Sequence, residues 1–231
     1  MYSLSLTFEM LKSHKLSGYY DIKNHCRQGM TGFLFEALSE IPEMNNPHII
    51  DVGCGFGAVT LALAKRYAGS IKALDIDKSA LSYLSNSVDQ LGYTNKVNIS
   101  NQSLFDIQAE NETYDIAIAE GLLNTVGFEK GLKHIVGLMK RNGVIVIHDD
   151  QKNKDEKLEL FKSYDCQKIK TINLSEGIWW EHYYKPLDDK IKSIKNTLLL
   201  NNFESDLKEI ERFKQGSFDF CSTYYVLQYS N

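Results

Sequence analysis

The chain has 231 residues, a net charge of −4, 43% hydrophobic and 24% charged residues. That length is most simply one domain with insertions and is enough for a substantial core. Without a concentrated basic run a nucleic-acid partner is disfavoured, and without a membrane-length apolar run or a signal-peptide core in MYSLSLTFEMLKSHK a cytoplasmic protein off the membrane is expected.

Residues 1–45 read as a largely helical N-terminal extension, amphipathic over Gly29–Leu38, with Pro42 and Pro47 marking the break that follows. His48–Thr60, HIIDVGCGFGAVT, then reads as a buried strand (His48–Val52), a turn carrying Gly53, Gly55 and Gly57, and a helix from Ala58 to about Tyr67. In a parallel α/β sheet ligands bind where strands end and helices begin. Asp51 decides which ligand. A carboxylate just before the turn would repel a dinucleotide pyrophosphate, but it would attract a ligand carrying an ammonium and a sulfonium, such as S-adenosylmethionine (SAM). The spacing Gly53-Cys54-Gly55-Phe56-Gly57 also departs from the dinucleotide fingerprint G-x-G-x-x-G. Cys54 reads as a small packing residue in this turn. The other cysteines, Cys26, Cys166 and Cys221, are scattered without metal-ligand spacing, and no metal is expected.

Ile71–Asp77, IKALDID, is an apolar run ending in acids. Asp75 lies about 20 residues beyond the glycines, the separation at which a second strand brings an acid to ribose hydroxyls. A carboxylate accepts two hydrogen bonds, which suits a vicinal diol. Ile76 is placed to lie against the adenine, and Asp77 reads as the N-cap of the helix Lys78–Gln90.

DVGCGFG and ALDIDKSAL resemble the first two motifs of class I SAM-dependent methyltransferases of the small-molecule, UbiE-like kind. TYDIAIAEG (Thr113–Gly121) resembles that family's fourth strand, and LMKRNGVIVIHDD (Leu138–Asp150) its turn and fifth strand. EGLLNTVGFEKGL (Glu120–Leu132) resembles a loop-and-helix segment of bacterial members, and the tail STYYVLQYS its last strand. The resemblance runs from about Asn46 to Asp150. It implies a Rossmann-like, doubly wound, seven-stranded α/β sheet with helices on both faces, SAM as cofactor and S-adenosylhomocysteine (SAH) as product. Two departures stand out. After the third strand (Lys96–Ser100) the family places an Asp on the adenine amino group; Ser103, beside Leu104, most nearly takes that place, and Asp106 comes late. Lys140-Arg141-Asn142-Gly143 lacks the usual proline and first glycine, although Asn142 tolerates the left-handed conformation the turn needs.

Further strands read at Tyr114–Ala119, Gly143–His148, Gln167–Asn173 and Ser222–Tyr229, with helices at Phe128–Met139 and Lys154–Ser163. This alternation argues for a parallel sheet. The methyltransferase domain is thus expected over 46–231, with a helical insertion at about 175–214 that reads as helices Trp179–Leu200 and Phe203–Phe213. Its aromatics Trp179, Trp180, Tyr183 and Tyr184 repeat at helical spacing. They either anchor the insertion or form an aromatic acceptor wall suited to a cationic amine. Glu120 follows the fourth strand and either touches cofactor or substrate or caps the next helix. His148 ends the fifth strand, where an imidazole could take a proton from the acceptor. Tyr19 and Tyr20 could close over the methionine end of SAM. The expectation is methyl transfer to a small molecule. Alternatives are a protein or RNA acceptor, or a SAM-binding protein of this fold without catalysis.

Overall fold

The computed structural model describes residues 18–107, 113–216 and 220–230. Helix α1 (18–28) is followed by α2 (Thr31–Leu38), β1 (Ile49–Val52), α3 (Ala58–Arg66), β2 (Ile71–Asp75), α4 (Lys78–Gln90) and β3 (Val97–Asn101). After a 3-10 turn at Leu104–Asp106 come β4 (Tyr114–Glu120), α5 (Leu123–Val126), α6 (Phe128–Val136), β5 (Met139–Asp150), α7 (Lys154–Ser163) and β6 (Cys166–Leu174). The chain then runs through α8 (Glu176–Trp179), a π-helical turn (Trp180–Tyr184), α9 (Lys185–Lys192), α10 (Thr197–Leu200) and α11 (Glu204–Lys214) to β7 (Ser222–Tyr229).

Among the described residues these elements form two compact units, one made from 31–175 and 221–230 and the other from 18–30 and 176–220. The first is a seven-stranded sheet in the order β3-β2-β1-β4-β5-β7-β6, parallel from β3 to β5 and antiparallel at β7. Continuous apolar runs such as β1, buried at every position, mark strands covered on both faces. Ile50, Val52, Ala117, Ala119, Ile145, Ile147 and Tyr225 point to one face, where Leu132, Ile135 and Phe161 complete a core. The opposite face holds Asp51, in register with Ile118 of β4. Two residues further along β4, Glu120 pairs with His148 of β5, and His148 pairs with Tyr224 of β7. Period-two alternation thus carries a row of polar side chains to one face at the strands' C-terminal ends.

Local signals set several of these boundaries. Asp77 caps α4, its carboxylate accepting from the amides of Ser79 and Ala80 at 2.8 and 3.2 Å. Lys96 closes the other end of α3 by donating to the Ala64 and Tyr67 carbonyls, as suits a cation at a helix C-terminus. Asn142 takes φ 61°, as the motif required. It does so inside a longer strand than expected: β5 begins at Met139, and the irregularity between Tyr114 and Ile116 in its pairing with β4 absorbs the extra residues.

The second unit is helical and differs from the sequence expectation in two places. The single helix foreseen over Trp179–Leu200 is broken. Pro186 has no amide to give the His182 carbonyl, and the turn before it widens so that Lys185 bonds back to Trp180. The helix stops at Lys192, and α10 restarts under Asn196, which accepts from the Leu198 and Leu199 amides. Of the extension foreseen over 1–45, residues 1–17 lie outside the described residues; in the rest, α2 groups with the sheet and buries Leu34, Ala37 and Leu38 there. Gly29 stands between α1 and α2. A Cβ on it would lie 2.4 Å from the His182 carbonyl oxygen, so only glycine permits the backbones to approach so closely.

Candidate functional site

The glycine turn between β1 and α3 takes positive φ at Gly53, Gly55 and Gly57, and the three glycines serve different ends. A Cβ on Gly57 would stand 2.1 Å from Leu84, and one on Gly53 3.1 Å from Leu122, so both are packed. A Cβ on Gly55 would meet nothing within 4 Å. The turn is therefore closed by packing at both ends and open at its middle, which leaves backbone accessible to a ligand.

Asp75 ends β2 and ties this turn to the next strand. One carboxylate oxygen accepts from the Gly55 amide at 2.8 Å, and the other accepts from the Asp77 amide at 2.9 Å. Beside it Ile76 is 74% exposed, the largest exposure among the exposed large hydrophobic residues. Asn101 holds that corner by donating from its side-chain amide to the carbonyls of Asp75 and Ile76, each at 3.1 Å. A cavity of about 80 Å³ opens here, with apolar walls from Leu74, Leu104, Leu122 and Val126 and polar groups from Asp75 and Ser103. Gln102 also lines it and was not singled out from the sequence; its place directly after β3 was the available signal. Ser103 is partly engaged elsewhere. Its hydroxyl oxygen accepts from the Phe105 amide at 3.2 Å while Asp106 accepts from the Ser103 amide, a capping box that starts the 3-10 turn.

Asp51 lies behind the turn, 2% exposed, accepting the Thr60 hydroxyl at 2.5 Å. Burial pushes its carboxyl up to about 7; the Thr60 hydrogen bond opposes this, and the negative charges of Glu120 and Asp75 add to it. Cys54 is 9% exposed, its thiol pushed far up by burial and pointed at the Gly55 carbonyl, which fits a packing role.

At the end of β4, Glu120 accepts the Tyr224 hydroxyl at 2.6 Å, and its second oxygen lies 3.9 Å from His148 Nδ1. The N-cap position of α5 is Leu122, which has no side-chain capping bond. His148 is 3% exposed, stacks on the Tyr224 ring with centroids 3.8 Å apart, and meets the Ser222 hydroxyl through Nε2 at 2.8 Å. His148, the residue the sequence offered for taking a proton from the acceptor, is thus an enclosed ring beside Glu120. Neither Tyr224 nor Ser222 was foreseen, because nothing in the local pattern shows which strand neighbours β5. On the other face of β5, Asp149 is 5% exposed and accepts from the Asn124 side chain and the Asp150 amide. Burial raises its carboxyl to about 6, with Asp150 adding to the shift and Lys157 opposing it.

The remaining sequence candidates fall in the helical unit. Tyr20 is 8% exposed and packs edge-on against Tyr19. Tyr183 and Tyr184 are buried, with Tyr184 donating to Glu209 at 2.9 Å and packing on Phe213 and Phe220. Trp180 stacks on Phe213, and Trp179 carries the Arg27 guanidinium over its ring. Tyr183 and Tyr184 thus belong to the core of that unit, while Trp179 and Trp180 are half-buried.

A wider depression of about 950 Å³ runs along α7 and β6, lined by residues such as Glu129, Asp155, Glu159 and Lys168. It is lined by no parallel strand's C-terminal end, and we place no chemistry in it. Among the described residues no three His, Cys, Asp or Glu side chains are grouped to hold a metal, and no helix is long and apolar enough to cross a membrane.

Residues 44–191 match the family model described as a methyltransferase domain. The chain is 31% identical over 114 residues to the ubiquinone/menaquinone biosynthesis C-methyltransferase UbiE of Geotalea daltonii, covering 48% of each. It is 24% identical over 134 residues to the ribosomal protein L11 methyltransferase of Ruminiclostridium cellulolyticum, covering 58% of this chain and 42% of that one. The matches span about half the length of such curated relatives, or less. A solved geranyl diphosphate methyltransferase in complex with SAM shares the fold with TM-score 0.64 at 13% identity, over 87% of this chain and 85% of that one.

Proposed function

Because the chain belongs to the class I SAM-dependent methyltransferase family, we propose that it transfers the methyl group of SAM to a small-molecule acceptor. The observation that carries this reading is the corner at β2. Asp75 is fixed by the Gly55 and Asp77 amides, beside an exposed Ile76 and a cavity walled by Leu104 and Leu122. Both Asp75 oxygens keep a lone pair to accept from a ribose diol. Ile76 and Leu104 offer flat apolar contact to adenine, and Ser103 and Gln102 offer its polar edge hydrogen-bonding groups. Gly53 and Gly57 shape the turn, while Gly55 and Cys54 present backbone to the ligand. The open Gly55 fits a ligand that must lie close to the main chain.

SAM supplies a methyl carbon on a positively charged sulfur that leaves readily. The protein's part is to align, exclude water and hold charge. Asp51 serves the last of these. An excess of carboxylates at the ends of β2, β1 and β4 favours a cationic ligand over an anionic one. Glu120 stands where β4 meets β5 and is the residue proposed to face the reacting end, with His148 behind it. The acidic balance of the chain supports a small-molecule acceptor over RNA.

Calorimetric titration with SAM, SAH and NAD tests the reading. Micromolar binding of the two adenosyl-sulfur ligands, lost in Asp51→Ala, is expected. A preference for NAD, or no binding of SAM or SAH, overturns it. Turnover of purified ribosomal protein in place of small acceptors would move the acceptor class to protein.

A further inference from the structure

Three carboxylates end three neighbouring strands, and each is held differently. Asp75 on β2 accepts two backbone amides, Asp51 on β1 accepts the Thr60 hydroxyl, and Glu120 on β4 accepts the Tyr224 phenol. Asp75 and the cavity beside it account for the nucleoside, which SAM and SAH share. Asp51, 2% exposed behind the glycine turn, is set for a charge held near that turn. Glu120 remains.

Glu120 belongs to the same ligand cleft. Two residues after it, Leu122 walls the cavity and packs on Gly53, and the Gly121 amide between them is fixed on the His148 carbonyl at 2.8 Å. Its negative charge is felt at Asp51. In the cofactor the sulfur follows the ribose by one carbon, so a ribose on Asp75 leaves the sulfur near the next strands in the sheet order, β1 and β4.

The support around Glu120 comes from two strands, β5 and β7. Tyr224 on β7 donates to one oxygen, and the His148 ring, stacked on that same tyrosine and held through Nε2 by Ser222, lies near the other. A carboxylate that accepts a phenol hydrogen bond loses rotameric freedom. We propose that Glu120 is the specificity-determining residue that distinguishes SAM from SAH by reading the sulfonium charge, and that Tyr224 and the His148–Ser222 pair are its positioning residues. This rests on the methyltransferase reading and deepens it. Methyl transfer turns the sulfonium into a neutral thioether, so the same carboxylate that favours the substrate form weakens the hold on the spent one.

The test is the ratio of the SAM and SAH dissociation constants, measured by calorimetry for the wild type, Glu120→Gln, Tyr224→Phe and Asp75→Ala. Glu120→Gln removes the charge at nearly constant shape. It is expected to lower the preference for SAM by roughly tenfold with SAH affinity kept. Tyr224→Phe keeps the carboxylate but frees it, and a fall of roughly threefold is expected. Asp75→Ala weakens both ligands alike and leaves the ratio in place. Retained SAH binding in Glu120→Gln and Tyr224→Phe also reports an intact site, which a merely structural role for Tyr224 would not combine with a changed ratio. Equal weakening of both ligands by Glu120→Gln, or no change in either, overturns the assignment. If Glu120→Gln loses SAH altogether, Tyr224→Phe decides, and an unchanged ratio there overturns it. A wild type that binds neither ligand fails the methyltransferase reading itself, an outcome distinct from all of these.

Discussion

The sheet unit and the helical unit both bury charged groups, but the partners differ. In the helical unit Lys23 and Asp206 pair at 2.5 Å, Tyr19 donates to the same carboxylate, and Tyr184 bonds Glu209. Desolvation would lower the Lys23 ammonium pKa, yet the facing Tyr183 and Asp206 hold it above its ordinary value. In the sheet unit the buried or half-buried acids Asp51, Asp75 and Glu120 are held by hydroxyls and backbone amides, and Asp51 is raised well above the ordinary carboxylate range. An ion pair answers a buried charge from within the protein. A carboxylate held by hydroxyls and backbone amides, as Asp51 and Asp75 are, keeps attraction for a cation from outside. That contrast, more than burial, separates a structural cluster from a binding one.

Removing one partner of the helical pair gives the largest expected effect. Asp206→Ala strands the Lys23 ammonium, whose side chain is 16% exposed, and should destabilise that unit by about 3–5 kcal/mol. Hydrogen exchange should show protection lost in α1 and α11 and kept in the parallel strands. Equal loss in both units would end the comparison.

Asp75→Ala should leave the sheet folded but weaken SAM and SAH by roughly 100-fold, the loss of a charge-assisted pair of hydrogen bonds. Unchanged affinity in calorimetry would remove the ribose role.

The third prediction concerns pH. Burial pushes the Asp51 carboxyl up to about 7 from its ordinary 3.8, so the folded protein holds a proton that the unfolded chain has lost across that window. Its contribution is present in full at low pH and is lost as pH rises toward the folded value, at about 1.4 kcal/mol per pH unit at most. Asp149, raised to about 6, acts in the same direction. Ligand-free protein should therefore fall in stability from about pH 4 to about pH 7 on the account of these two groups. Asp51→Asn should flatten that fall in urea titrations, and SAM affinity should rise across the upper part of the window as the carboxylate forms. A wild type and a variant with parallel pH profiles would show that the buried acid is not titrating there.

The smallest effect is at Ile76. Because the side chain is 74% exposed, Ile76→Ala should leave stability within about 0.5 kcal/mol and weaken SAM roughly threefold. A large stability loss would mean that Ile76 packs on protein and not on adenine.

The sheet was legible because its signals are local. Apolar runs ending in Asp51 and Asp75 mark β1 and β2, three glycines mark the turn, and Asp77 caps α4 within three residues of its partners. The helical unit was less so. A periodic aromatic stripe foretold helices, but it could not show that Pro186 would force a wide turn or that Trp180 and Tyr184 would pack on Phe213.

Sequence alone determined the family motifs, the strand-turn-helix that presents Asp51 and the acid Asp75 at the end of the next strand, because caps, turns and periodicity act over a few residues. Tertiary structure alone decided what holds Glu120. Tyr224 is 104 positions away, and Ser222 is 74 from His148. They meet only because β7 inserts antiparallel between β5 and β6. Strand order and register are set by the burial of whole faces at once, and no window of sequence contains that competition.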